Sequence, residues 1–273
     1  MKSTRVVIQM IWKILFNTLT GYVLLCSIVF IFQRKLLYLP NEIQLSEDRA
    51  LDEGLLYWPS FENFQGFITQ EEPGDAKGTI IVFHGNAGTA YHRSFYAKAL
   101  SIQHLRVILA EYPGYGGRAG QPSEDVLVKD ALETIRLAYQ EYGEPLYLWG
   151  ESLGSGVVCS AASKTDIPIE GLVLFLAWDS LPNLAQTHYG YLPARWLVLD
   201  KYNSIENLQE FDGNIAVILV ENDEVVPVQH GKKLYQSIST NKKLWLFDDV
   251  RHNEVPVGAE LYWWKEVIAF VSE

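Results

Sequence analysis

The stretch from Leu146 to Lys164 restricts the possible folds of this chain more than any other. Leu146-Tyr147-Leu148-Trp149 predicts a short buried strand and Ser155 to Lys164 a helix, with Gly150-Glu151-Ser152-Leu153-Gly154 between them. A strand-to-helix turn this tight strains its central residue, so the positions two removed on either side must be almost without side chains. Gly150 and Gly154 meet that need. The turn presents the Ser152 hydroxyl at the edge of a sheet and aims the first amides of the following helix at the same point.

Further apolar runs at Thr79 to Phe83, Leu105 to Ala110, Ile169 to Leu176, Ile215 to Val220 and Lys243 to Phe247 predict strands. Helical spacing fills the intervals at Tyr91 to Gln103, Ser123 to Tyr142, Val228 to Ile238 and Ala259 to Val271. Strands alternating with helices imply a mostly parallel sheet covered on both faces, with its site at the carboxyl ends of the strands. Asn41 to Asp75 is irregular, with weak strand signals near Leu55 to Trp58 and Phe64 to Thr69 and a turn at Pro73-Gly74-Asp75. At 273 residues, 48% of them hydrophobic, the chain suits one α/β domain with a short appendage.

That appendage is the run Ile14 to Phe32, nineteen residues without a charge, long enough to cross a bilayer as a helix. Phe30 to Arg34 offers no small-residue cleavage site, which favours an uncleaved anchor over a signal peptide. Lys2, Arg5 and Lys13 before the run slightly outweigh Arg34 and Lys35 after it. This predicts an amino terminus inside and the main domain on the non-cytoplasmic side. The expected organisation is residues 1–40 as membrane anchor and 41–273 as the α/β domain, with a small lid at about 180–208. A net charge of -11 argues against nucleic acid as a partner. Cys26 lies in the apolar run and Cys159 in the helix after Ser152, so no disulfide framework is expected, and no spacing of Cys, His and carboxylates suggests a metal or cofactor site.

A serine is a poor nucleophile until a base takes its proton and a third group orients that base. Among six histidines, His252 alone follows the last strand and is the expected base. Asp223, after the strand Ile215 to Val220, is the expected acid. Asp179 is its rival, with helix capping at Ser180 as its other role. Glu221 and Glu224 are expected to be solvated. The backbone amides of Leu153 and Asn86 are the expected oxyanion donors, and His84 is expected to buttress the second of them. His92, His104, His188 and His230 fall on helices or their edges.

In order and spacing, His84-Gly85-Asn86-Ala87-Gly88, Tyr112-Pro113-Gly114-Tyr115-Gly116, Gly150 to Gly154, Asp223-Glu224-Val225-Val226-Pro227 and His252-Asn253 resemble the Bem46-like branch of the α/β-hydrolases. Phe32 to Tyr38 and the stretch from Leu192-Pro193 to Ser204-Ile205-Glu206 share the likeness. It departs at Leu219-Val220, where relatives commonly carry His-Gly, and at Asp249-Val250-Arg251, where they carry glycines. The resemblance implies a Ser-His-Asp hydrolase in a family that includes membrane-tethered enzymes removing acyl groups from lipidated proteins. The aromatic residues of the lid, beside a membrane, suit a lipid-like acyl ester or thioester. A serine aminopeptidase-type peptidase uses the same groups on amides, and an idle membrane-tethered binding module would retain them by descent.

Overall fold

The structure, a computed structural model, describes residues 2–41, 43–70 and 76–273. The turn expected at Pro73-Gly74-Asp75 lies outside the described residues. Helix α1, Lys2–Leu37, extends past both ends of the uncharged run. Two-residue β1, Leu39–Pro40, follows directly. The irregular stretch then forms α2, Glu47–Asp52, and two strands, β2 (Leu55–Trp58) and β3 (Gly66–Thr69). These are the strands for which the sequence carried only a weak signal. Short length and antiparallel pairing at the sheet edge explain the weakness, since neither presents a long apolar run.

The alternation expected from there on is present. Strand β4, Thr79–Phe83, leads through two-residue β5, Ala87–Gly88, and a 3-10 turn at Ala90–Arg93 into α3, Ser94–Ser101. The helix expected to start at Tyr91 is therefore split. Strand β6, Arg106–Ala110, precedes α4, Glu124–Tyr142, whose N-cap is Ser123, accepting from the Val126 amide. Strand β7, Leu146–Glu151, turns into α5, Leu153–Ala162, and β8, Gly171–Phe175, follows. Between β8 and the next strand the chain leaves the sheet for α6, Leu181–His188, α7, Ala194–Leu197, and α8, Ser204–Asn207. Strand β9, Asn214–Val220, helix α9, Val228–Ser237, strand β10, Lys242–Phe247, and helix α10, Tyr262–Val271, complete the chain.

Eight strands form one sheet in the order β10-β9-β8-β7-β4-β6-β3-β2, parallel except where β3 meets β6 and β2 meets β3. Side chains alternate along each strand, so each strand feeds two cores. Leu146 and Leu148 of β7 pack with Leu127, Ile135 and Val157 of α4 and α5 on one face. Tyr147 and Trp149 pack with Tyr96, Trp264 and Val267 of α3 and α10 on the other. Trp264 is fully buried, 3.8 Å centroid to centroid from Trp263 and edge-on to Tyr96 at 5.7 Å. Replacing it opens a cavity that α10 cannot close, so Trp264→Ala is expected to cost about 3–5 kcal/mol in chemical denaturation.

Candidate active site

Ser152 has φ 51° and ψ -110°, a strained conformation for a residue with a side chain. The surroundings hold it there. Its amide donates to Phe175 O at 2.8 Å, and its carbonyl accepts from the amide and the hydroxyl of Ser155 at 2.9 and 2.7 Å. A Cβ at Gly150 would lie 2.5 Å from Gly154 O, and one at Gly154 would lie 1.9 Å from Phe83 O. Only glycine lets α5 descend onto the ends of β7 and β4. The adjoining Glu151 is clamped by Arg93 Nη2 at 2.6 Å and by the Tyr96 hydroxyl at 3.0 Å. Burial alone would raise its carboxyl, but the Arg93 charge and these hydrogen bonds outweigh it and hold the group below the usual range.

Asp223 and His252 meet in the loops after β9 and β10. The imidazole Nδ1 lies 2.7 Å from Asp223 Oδ2 and 2.9 Å from Oδ1. An ionised carboxylate only accepts, so Nδ1 carries the proton and Nε2 is left as the basic nitrogen. Asp223 Oδ1 also accepts from the amides of Val225 and Val226 at 2.9 and 2.6 Å, which fixes the carboxylate. Glu224 is exposed, as expected, and one of its oxygens also accepts from the His252 amide at 3.4 Å at the rim of the adjoining cavity. Ser152, Asp223 and His252 are all buried at the same sheet edge. Among the described residues Ser152 Oγ makes no hydrogen bond to His252. Such bonds are commonly long without substrate and tighten when it binds.

The loop after β4 is held by the residues of the Tyr-Pro-Gly-Tyr-Gly segment. The Tyr112 hydroxyl donates to His84 O at 2.8 Å and the Tyr115 hydroxyl to Asn86 O at 2.9 Å. Both ring nitrogens of His84 are engaged, Nδ1 at 2.8 Å from Gly85 O and Nε2 at 3.0 Å from Glu111 Oε1, so the ring buttresses the loop. Glu111 Oε2 takes the Ala90 amide at 3.0 Å, and a Cβ at Gly116, with φ 54°, would lie 2.3 Å from that same oxygen. Sequence reasoning missed Glu111. Its signal was position, a carboxylate directly after an apolar strand.

Asp179, the rival acid, has a different partner. Its Oδ1 lies 2.7 Å from His230 Nδ1, and its Oδ2 accepts from Lys233 Nζ at 2.6 Å and Asn183 Nδ2 at 2.7 Å. His230 Nε2 is already met by Thr187 Oγ1 at 2.9 Å, and His230 is buried. Asp179 therefore ties α6 to α9, and its side chain does not cap α6. Of the remaining histidines, His188 Nε2 donates to Val225 O at 2.8 Å, and His92 Nδ1 accepts from the Thr89 amide at 3.2 Å.

A cavity of about 520 Å³ opens over Ser152, Leu153 and Asn86. Its walls are α6, α7 and the carboxyl-terminal half of α1. The Asn86 side chain donates to Leu37 O at 3.0 Å, and β1 pairs in parallel with β5, so the end of α1 is tied to the loop beside the serine.

With a strained serine after the fifth strand of this sheet order and a His-Asp pair after the last two, the chain belongs to the α/β-hydrolase superfamily. A family model described as serine aminopeptidase, S33, matches residues 74–197. An uncharacterized protein of Mycobacterium tuberculosis is 32% identical over 229 residues, 81% of each chain. The lysophosphatidylserine lipase ABHD12 of Danio rerio is 34% identical over 184 residues, 60% of this chain and 48% of that one. This chain thus spans about half the length of that lipase. Among solved structures, an esterase of Pyrococcus furiosus superposes with a TM-score of 0.64 at 15% identity, covering 85% of this chain and 98% of the other.

The Asp179 clamp has a pH signature. Burial alone would raise its carboxyl, but hydrogen bonds from His230, Lys233 and Asn183 hold it far below the usual carboxylate range. Its stabilisation is therefore complete above the ordinary pKa of about 4 and is lost as pH falls below that value. Asp179→Asn is expected to lower Tm at neutral pH, with the gap to the wild type closing as the pH drops below about 4.

Proposed function

We propose that this chain is a serine hydrolase that cleaves carboxylic esters or thioesters of lipid-like acyl substrates through an acyl-enzyme on Ser152. The observation that carries the reading is the Asp223–His252 pair, which leaves Nε2 basic at the sheet edge where the strained serine is presented. His252 Nε2 takes the Ser152 proton as Oγ attacks the acyl carbon. The resulting oxyanion is met by the amides of Leu153, at the first turn of α5 where no intrahelical acceptor exists, and of Asn86. As the intermediate collapses, the imidazolium returns its proton to the departing alcohol or thiol. Water, deprotonated by the same nitrogen, then attacks the acyl-enzyme, and as that intermediate collapses the imidazolium returns the proton to Ser152 Oγ, which restores the hydroxyl and releases the carboxylic acid.

Lipid-like esters are favoured by the apolar cavity over Ser152 and by relatives named as lysophosphatidylserine lipases. Residues 1–40 act as the anchor, with α1 long and apolar enough to cross a membrane, and residues 41–273 as the hydrolase domain with its lid at about 180–208. The small excess of positive charge before the apolar run favours a domain on the non-cytoplasmic side. The family model's description favours one second reading, peptide-bond hydrolysis by the same groups.

A fluorophosphonate probe is expected to label the wild type and not Ser152→Ala. Asp223→Asn, which releases the imidazole tautomer, is expected to lower kcat about 10³- to 10⁴-fold on an ester substrate. Faster turnover of aminoacyl anilides than of matched esters and thioesters would move the peptidase reading forward. A folded wild type that takes no label would favour a binding module instead.

A further inference from the structure

We infer that α1 is more than a tether: its carboxyl-terminal half is one wall of the acyl-chain site, and a single-chain acyl substrate passes from the surrounding leaflet between α1 and the lid to Ser152. The inference rests on the hydrolase reading above for what happens at Ser152, and on the following geometry for the route.

Along α1, Cys26, Val29, Gln33 and Leu37 are the partly covered positions, a single stripe at helical spacing, while the other described side chains from Arg5 onward are exposed. That stripe faces the lid. The Tyr22 hydroxyl donates to Tyr191 O at 3.0 Å, Gln33 Nε2 donates to Leu197 O at 3.2 Å and Oε1 accepts from the Leu199 amide at 2.7 Å, and Arg34 pairs with Asp200 at 3.0 Å. These contacts run over about 18 Å of helix axis. Tyr22 lies near the middle of the uncharged run Ile14 to Phe32, so an α1 that crosses a bilayer carries the lid tip to hydrocarbon depth.

The lid is built for that depth. Backbone polar groups inside hydrocarbon must be satisfied within the protein. The carbonyl of Tyr191 is met by Tyr22, that of Leu192 by Gln186 Nε2 at 3.1 Å, and the amides of Tyr189 and Leu192 by Ala185 O and Tyr189 O. Meanwhile Trp196 is 81% exposed, Tyr191 68% and Tyr189 48%, large side chains whose apolar ring faces are better covered by lipid than by water. Between this lid and α1 the cavity is lined by Leu25, Val29, Leu184, Leu192 and Leu197, and its floor is Ser152. An acyl chain entering there leaves one apolar surrounding for another, so it never crosses water on the way to the serine.

The test uses the full chain in phosphatidylcholine nanodiscs. Val29→Trp fills the α1 wall, and Ile28→Trp places the same side chain on the exposed, lipid-facing side of the same helix. The ratio of kcat/KM for a p-nitrophenyl palmitate to that for the butyrate is expected to fall about tenfold or more in Val29→Trp and to stay at the wild-type value in Ile28→Trp. An unchanged ratio in Val29→Trp, or an equal fall in both variants, overturns the inference. Should the wild type hydrolyse neither ester, the hydrolase reading fails, and a photoreactive palmitate decides this inference separately. Labelling of the buried Leu184 peptide that Val29→Trp abolishes and Ile28→Trp does not would support the α1 wall. No labelling of that peptide in the wild type, or equal labelling in both variants, would overturn it.

Discussion

The architecture of the site depends on one close approach, that of Gly154 to the Phe83 carbonyl. Helix α5 starts over the seam between β4 and β7, where any side chain at position 154 would lie 1.9 Å from that oxygen. Because the backbone can come this near, the turn at Ser152 and the loop after Phe83 become neighbours, and both Leu153 and Asn86 border one cavity. The strain at Ser152 persists because β8 on one side and Ser155 on the other over-determine its position. Packing this tight admits no gradual relaxation, so the serine is held before any substrate arrives.

Around that point the chain sets a carboxylate at the end of each of four parallel strands of the sheet and gives each a basic partner. Glu111 follows β6 and meets His84, Glu151 ends β7 and meets Arg93, Asp179 follows β8 and meets His230, and Asp223 follows β9 and meets His252. A carboxylate taken out of water must be paired or it is strongly unfavourable. Three of these pairs are closed. His84 faces two acceptors, Arg93 is spent on Glu151, and His230 is met by Thr187. The Asp223 pair alone among the four leaves an imidazole nitrogen without a described partner, and it is the pair that follows the last two strands of the sheet.

The same edge of the sheet receives the end of the long amino-terminal helix. Leu39 and Pro40 pair with Ala87 and Gly88, the Leu39 amide donates to Asn86 O, and the Gly116 amide donates to Asn41 O. Tyr38 and Arg34 converge on Asp200, beside the buried Tyr202 hydroxyl 3.0 Å from that of Tyr38. Helix α1, the loop after β4 and the segment before β9 thus share one hydrogen-bonded junction, and a displacement of α1 is felt where the loop beside Ser152 is held.

The parallel strands, the helices between them, the glycines around Ser152 and the positions of Asp223 and His252 after β9 and β10 were legible in the residues, because each is written in a local pattern of apolar spacing or turn chemistry. The sequence also left Asp179 beside Asp223 as a candidate acid, saw only faint signals for β2 and β3, and treated the apolar run as an appendage. Tertiary structure decided all three. The partner of a buried carboxylate depends on which loops the strand order brings together, and the fate of a short edge strand on the neighbour it finds. Likewise, the surroundings of α1 depend on Tyr22, Gln33 and Arg34 meeting a lid more than 160 positions away. Local spacing determines what each segment becomes; contacts distant in sequence determine which segments meet, and chemistry requires both.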